Sequence, residues 1–226
     1  MPTDLFLFTV WRWDIIADNW KGFLSGAWLD VWIATVGFAL ACGLGLLIAM
    51  MRVSGVRALS WPAYAWIQVA RGIPFYVLMI WVYFGVAFAA GVLFTANQAV
   101  LISLTITGSG YTAEIFRSGI QAIGAGQIEA AESLGLGRLQ MYRDVILPQA
   151  LRIAIPPLGN TYIGLFKAAT VMSVIGVTDI VFLATDITVT YFTPFEAYLT
   201  VAGILVVIVF FMSAAVSFAE RLVKMP

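Results

Sequence analysis

Histidine is absent from this chain of 226 residues, and cysteine occurs once, as Cys42. The missing imidazole removes the commonest general base, the commonest protein ligand of transition metals and any serine–histidine dyad. A single cysteine excludes an internal disulfide bond, and its position in an apolar run favours packing over reactivity. We therefore predict no catalytic residue and no metal site, which makes a membrane enzyme the weakest hypothesis.

A second absence concerns nucleotide binding. The sequence has no Gly-rich loop that ends in Gly-Lys followed by Ser or Thr, the loop that wraps phosphates in P-loop ATPases. Its 12 basic and 12 acidic residues balance, so no excess of positive charge suggests a nucleic acid partner. We predict that this chain is not an enzyme and holds no cofactor, and that any ATP is used by a partner.

Charge is scarce as well, since only 11% of the residues are charged while 62% are hydrophobic. The mean hydropathy of +0.98 lies far above that of a soluble domain, whose surface must be polar. This composition predicts a single-domain, all-α integral membrane protein that crosses the lipid bilayer several times.

Gaps between charges locate the predicted spans, since a helix needs roughly 20 apolar residues to cross about 30 Å of hydrocarbon. The gaps have room for five spans in the chain 1–226. One span lies at 31–51, and two lie between Arg71 and Glu114 with a turn near 95–98. The last two lie at 153–178, which only Lys167 interrupts, and at 197–219.

The first 21 residues, 1–21, mix Trp11, Trp13 and Trp20 with charges, which predicts an interfacial segment rather than a span. Basic residues in the loops set the orientation. Nine fall on one side and only Arg12 and Lys21 on the other, so we expect the N-terminus outside and the C-terminus in the cytoplasm. The nine are Arg52, Arg57, Arg71, Arg117, Arg138, Arg143, Arg152, Arg221 and Lys224.

The most charged part of the chain is a predicted cytoplasmic loop at about 126–148. Glycines at 135 and 137 split it, and Pro148 ends it, so it is predicted to form two short helices joined by a glycine hinge. Small residues on the first helix would let it lie deep in a groove of another protein. The pattern fits an amphipathic loop on the bilayer surface equally well.

The residues of this loop resemble the EAA loop of permease subunits of ATP-binding-cassette (ABC) importers. The matching positions are Glu129, Ala130, Ala131, Gly135, Leu147 and Pro148. Val145 stands where the family usually has Ile. The resemblance implies that the loop is a coupling helix that docks into a cleft of the ATPase subunit, so that closure of the ATPase pair moves the spans.

Other motifs resemble the polar amino acid subfamily, the histidine, glutamine and glutamate type permeases. They are "YTAEIFRSGI" from Tyr111, "LPQALRIAIPPLGN" from Leu147, "SVIGV" from Ser173 and "RGIPFYVLMIWVYFG" from Arg71. The resemblance implies a type I importer fold with five spans in the bacterial plasma (inner) membrane. The implied partners are two ATPase subunits that carry ATP and Mg, a second permease, identical or homologous, and an extracellular or periplasmic solute-binding protein.

Lys167 is the only charge inside a predicted span. It lies 11 residues beyond Pro156, roughly 16 Å along a helix and near the middle of the predicted span. Such a charge suggests a counter-charge for a substrate carboxylate or a gate, although pairing or snorkelling explains it equally well.

A polar stripe on the third span is the second candidate for the substrate pathway. It consists of Ser103, Thr107, Tyr111 and Glu114, at spacings of four, four and three residues. Hydroxyls that bond back to their own helix, and a Glu114–Arg117 pair, are equally consistent with the stripe.

Departures from the family lie in the same region. After Lys167 the family commonly has Asp or Asn and then Thr-Ser-Leu, whereas this chain has Ala168, Ala169, Thr170 and Val171. Arg71 begins "RGIP" where "RGTP" is usual. Arg71 and Thr170 remain candidate pathway residues, but the lost polar groups predict an unusual solute, opine-like or zwitterionic, or a site on the partner permease.

Two functional classes compete. The first is the transport subunit of an ATP-driven importer for a polar amino acid or a related solute. The alternative is a secondary transporter driven by an ion gradient, whose folds often contain inverted repeats. No convincing internal repeat is present, so the sequence favours the importer, and co-purification with an ATPase would separate the two.

Overall fold

A computed structural model describes residues 11–223, which form eleven α-helices and no strands. Seven of the helices lie within the first 133 residues. Their bounds are α1 Trp13–Asp18, α2 Trp20–Val53, α3 Arg57–Gly72, α4 Phe75–Ile80, α5 Ala87–Ala90, α6 Ala96–Gln121 and α7 Ala125–Ser133. The other four are α8 Arg138–Gln140, α9 Leu147–Ala169, α10 Ile180–Tyr191 and α11 Pro194–Val223. π-helical turns at Trp81–Val86 and Met141–Ile146 connect neighbouring helices.

The long helix α6 is the centre of the bundle, with α2, α3, α4 and α9 packed around it, while α11 packs against α9 and α10. Small residues form the seam between α2 and α6. Gly37, Ala41 and Gly45 lie four residues apart on α2 and face Leu104, Gly108 and Thr112 of α6. Such spacing lets two membrane helices approach closely, which gives the rest of the bundle a fixed frame.

Within residues 11–223, three helices are long and apolar enough to cross a membrane, namely α2, α6 and α11. The helices from Arg57 to Ala90 meet this condition together, but they bend by 101° between Gly72 and Phe75. The predicted spans at 31–51 and 197–219 thus lie inside α2 and α11. The second predicted span begins earlier than expected and is broken.

Two predicted boundaries differ from those in the structure. The turn expected near 95–98 lies slightly earlier, at 91–95, and α6 begins directly after it. There the Thr95 hydroxyl accepts a hydrogen bond from Gln98 N, and the Gln98 side chain accepts one from Thr95 N. The span expected at 153–178 is helix α9, which ends at Ala169 and is followed by the 3₁₀ turn Met172–Ile175. Lys167 lies in the last turn of α9, and its position near the middle of the membrane stays a prediction.

The prediction that Pro148 ends a helix was also wrong. The chain stays helical from Arg138 to Ala169, through the π-helical turn and Pro148. Pro148 is the second residue of α9, where a missing N–H does no harm because the preceding turn is already wide. The loop is therefore directly continuous with α9.

The predicted interfacial segment 1–21 lies partly outside the described residues. From residue 11 onward the chain carries exposed tryptophans and one short helix, α1. Arg12 N donates to Glu196 Oε1 at 2.7 Å, which ties this segment to the beginning of α11. Asp30 and Asp179 are fully buried near α10, and Asp179 Oδ1 accepts from Phe182 N at 2.7 Å, which caps that helix.

Candidate functional site

The loop between α6 and α9, hereafter the coupling segment (126–148), is attached to the bundle by one apolar face. Ala131, Met141 and Ile146 are buried against Ile120 and Ile123 at the end of α6. This cluster explains why the segment folds where it does, because its apolar residues cover the end of a helix that would otherwise be open to water.

Gly135 determines the turn in the middle of the segment. Its φ is +72°, a left-handed conformation that side chains with a Cβ rarely adopt. Gly135 N donates to Glu132 O at 2.9 Å, and Leu136 N donates to Ala131 O at 3.1 Å. This is the Schellman arrangement that ends α7, and it confirms the glycine turn that the sequence predicted.

The opposite side of the segment is open. Leu134 is 80% exposed and Leu139 is 82% exposed. Glu129, Ala130 and Pro148 are also exposed, whereas Ala131 is buried and Leu147 is half-buried. The segment therefore presents two large apolar side chains that no other described residue covers.

A second feature is a cavity of about 560 Å³ at the break between α3 and α4. Three of the predicted pathway residues, Arg71, Thr107 and Tyr111, line it. The Arg71 guanidinium carbon lies 5.3 Å from the centroid of the Tyr111 ring. Thr107 Oγ1 is buried and has no hydrogen-bond partner among the residues that the structure describes.

Arg71 was expected at the cytoplasmic end of the bundle together with Arg117, and the side of the membrane on which it lies stays a prediction. It lies beside Tyr111, ten residues before the end of α6, or roughly 15 Å from that end. The helix break at Gly72 and Pro74 brings this arginine into the bundle, and the sequence alone did not reveal the break.

The other predicted pathway residues lie elsewhere. Ser103 Oγ donates to Ala99 O of its own helix at 2.7 Å. Glu114 pairs with Arg117. Lys167 and Thr170 line a separate groove of about 450 Å³ between α9 and α11, together with Leu205 and Phe210. The seven predicted residues therefore do not form one site. Three line the cavity, two line the groove between α9 and α11, and the last two, Ser103 and Glu114, bond within their own helix.

Sequence reasoning missed the contribution of α9 to the cavity. Asn160, Thr161, Gly164 and Ala168 line it, at spacings of one, three and four residues that place them on one helical face. The signal in the sequence is the polar pair Asn160 and Thr161 inside an otherwise apolar helix. These residues supply an amide and a hydroxyl opposite Arg71.

Residues 16–223 match the protein family described as "Binding-protein-dependent transport system inner membrane component". The chain is 32% identical over 207 residues to the probable glutamine ABC transporter permease protein GlnM of Bacillus subtilis (strain 168), covering 92% of this chain and 95% of that protein. It is 28% identical over 215 residues to the nopaline transport system permease protein NocM of Agrobacterium fabrum (strain C58 / ATCC 33970), covering 91% and 89%.

Among solved structures, a crystal structure of an amino acid ABC transporter with histidines contains a chain that is 33% identical. The TM-score is 0.87, and the match covers 93% of this chain and 98% of that chain. This chain therefore shares the fold of a chain of that ABC transporter over most of both lengths.

Proposed function

The chain belongs to the family of binding-protein-dependent transport system inner membrane components, and from that premise we propose that it is the membrane-spanning subunit of an ATP-driven importer for a polar amino acid or an amino-acid-like solute. The coupling segment is the observation that carries this proposal. Its exposed Leu134 and Leu139 flank a glycine turn at the end of the bundle that holds most of the arginines. A secondary transporter would have no use for such a docking surface.

In the membrane we propose five crossings, made by α2, the bent unit from α3 to α5, α6, α9 and α11. The N-terminus is outside and the C-terminus is in the cytoplasm. Even without Arg71, eight basic residues lie on the cytoplasmic side and two on the other. The excess of positive charge in the cytoplasmic loops therefore still favours this orientation. The protein resides in the plasma (inner) membrane of a bacterium.

The proposed partners are two ATPase subunits that bind ATP and Mg, a second permease and an external solute-binding protein. Glu129, Ala130, Ala131 and Gly135 form the coupling helix and its turn, while Leu147 and Pro148 continue it into α9. Because the chain is helical from Arg138 to Ala169, a push on the segment moves α9, which lines the cavity on one side. This continuity is the mechanical link from ATP hydrolysis to the pathway.

Charge on the exposed leucines tests the docking surface. Leu134→Glu with Leu139→Glu is expected to reduce co-purification of the ATPase by about tenfold or more, since a fully desolvated carboxylate costs several kcal/mol. Membrane insertion should be unchanged because both side chains lie outside the core. The measurement is the ATPase-to-permease ratio after affinity purification.

Leu93→Glu is the matched control, since Leu93 is 93% exposed in the turn before α6, at the other end of that helix. It should leave the ratio at the wild-type value. Normal ATPase recovery with the double variant would contradict the docking surface.

We further propose that the cavity at the helix break is part of the solute pathway. Within the described residues, its lining contains one charged side chain, Arg71, and that side chain is basic. Arg71 can pair with a solute carboxylate, while Thr107, Asn160 and Thr161 offer hydrogen bonds and Phe75 and Leu165 offer apolar contacts. A cationic side chain would find no counter-charge there.

Arg71→Gln is expected to reduce solute uptake by roughly tenfold or more, because a charge-assisted bond to a carboxylate contributes about 1.5–3 kcal/mol. Uptake by proteoliposomes that contain the assembled transporter is the measurement, and Arg71→Lys should retain part of the activity. Lys167→Gln provides the comparison. Loss of uptake in Lys167→Gln with normal uptake in Arg71→Gln would place the pathway in the α9–α11 groove instead.

A further inference from the structure

A groove of about 490 Å³ lies between the turn that joins α2 to α3, the end of α6 and the side of the coupling segment that carries Ile128 and Tyr142. It shares no lining residue with the cavity of the proposed pathway. Arg52 and Arg57 line it together with Ser60, Trp61 and Tyr142. It therefore combines two positive charges with hydroxyl groups and an aromatic ring.

Both arginines keep their charge available. Within residues 11–223, neither guanidinium forms an ion pair. Arg52 is held in place by other contacts, since its Nη1 donates to Ser60 Oγ at 2.6 Å and its guanidinium lies over the Tyr64 ring, 5.4 Å from the centroid. Arg57 is the first residue of α3, where the helix dipole adds further positive potential. An anion would therefore meet a positioned site.

The rim of the groove carries exposed aromatic rings. Trp61 is 70% exposed and packs edge to face against Tyr64, with ring centroids 6.5 Å apart. Exposed Trp and Tyr beside arginines at the end of membrane helices are typical of the level of the lipid headgroups. A free phosphate ion would leave these rings without a partner, whereas a lipid would cover them with its glycerol and acyl chains.

We propose that this groove binds the headgroup phosphate of an anionic phospholipid of the cytoplasmic leaflet, with its acyl chains along Trp61 and Tyr64. Arginine forks match phosphate oxygens, and basic pockets between membrane helices hold anionic headgroups in this way. Tyr142 and Ile128 of the coupling segment also line the groove. The bound lipid thus connects the membrane helices to the coupling segment and stabilises the segment in its docked position.

This inference goes beyond the proposed transport function and uses it only to name the leaflet. It is tested with the detergent-purified transporter complex in thermal unfolding, with phosphatidylglycerol, phosphatidylcholine or inorganic phosphate added separately. Phosphatidylglycerol is expected to raise the Tm of the wild-type complex clearly more than phosphatidylcholine does, and inorganic phosphate is expected to leave it unchanged. Arg52→Gln with Arg57→Gln should lose at least half of the phosphatidylglycerol shift, and Arg52→Lys with Arg57→Lys should retain most of it.

The matched control is Arg152→Gln with Arg221→Gln, which removes two exposed charges from the same end of the bundle but outside the groove. It should keep the wild-type shift. Arg57→Gln alone breaks no hydrogen bond between described side chains, so it tests the site without a risk to folding and should reduce the shift by itself. A wild-type shift in both Gln variants, an equal loss in the control, or an equal response to inorganic phosphate would each overturn the proposal.

Discussion

Gly135→Val is expected to reduce solute uptake by the assembled transporter about 5- to 30-fold. Valine in the left-handed region costs about 1–2 kcal/mol, which corresponds to that factor in an equilibrium. At a φ of +72° the Schellman turn that ends α7 cannot keep its geometry with a β-branched residue. The turn must move, and Leu134 and Leu139 then no longer present one docking surface.

The measurement is ATP-driven uptake in proteoliposomes, together with ATPase activity in the presence and absence of solute. We expect the ATPase to remain active but to lose its response to solute, because the change lies at the connection and not in the ATPase itself. An unchanged response of the ATPase to solute would show that the coupling segment does not transmit the motion.

Gly137→Val is the matched control in the same loop. Gly137 has a φ of −64° and a ψ of 156°, an extended conformation that valine readily adopts. A Cβ at this position would meet only Gln140 Oε1 at 3.8 Å, an ordinary contact. Uptake should stay near the wild-type value. If both variants lose uptake equally, the effect comes from the size of the side chain against a partner rather than from the backbone conformation of Gly135.

The coupling segment was predictable because its function depends on local chemistry. The spacing of Glu129, Ala130, Ala131 and Gly135 indicates both a glycine turn and a family, and the structure contains that turn. The family and the all-helical architecture are likewise confirmed by the family match and the fold. Composition and a short motif carry this information, and neither requires knowledge of how distant helices meet.

The cavity was not predictable in the same way, because it depends on contacts between distant parts of the chain. Arg71 lines it because the chain bends between α3 and α4, and Asn160 lines it because that face of α9 is turned toward the cavity. A pattern on one helix does not fix either geometry. The end of α9 at Ala169 was missed for a related reason, since no glycine or proline directly follows it and the apolar run continues into a turn.

The seam between α2 and α6 leaves no room for a side chain at Gly45. Gly45→Ala is expected to lower the free energy of unfolding by about 1–3 kcal/mol, the usual cost of overpacking a core. A Cβ at Gly45 would collide with Thr112 Oγ1 and would lie 2.8 Å from Ala113 N. Thr112 Oγ1 also donates to Ala41 O at 2.7 Å, so the collision disturbs the one hydrogen bond seen between these two helices in the described residues.

Thermal unfolding and the yield of purified complex measure this effect. Gly43→Ala is the control on the same helix, because no atom lies within 4 Å of a Cβ at that position. It should be neutral or slightly stabilising, as alanine favours a helix over glycine by about 0.5–1 kcal/mol. A loss of stability in both variants would mean that α2 needs flexibility rather than a close approach.

Thr112→Ala then separates the collision from the lost hydrogen bond. Alone, it should cost about 1 kcal/mol, because the Ala41 carbonyl loses its side-chain donor. Combined with Gly45→Ala, it removes the atom nearest to the new methyl group and leaves the contact with Ala113 N. The double variant should therefore be more stable than the sum of the two single effects predicts. Additive effects would mean that the two helices separate as soon as either residue changes, and that their close approach, rather than one atom pair, holds the bundle together.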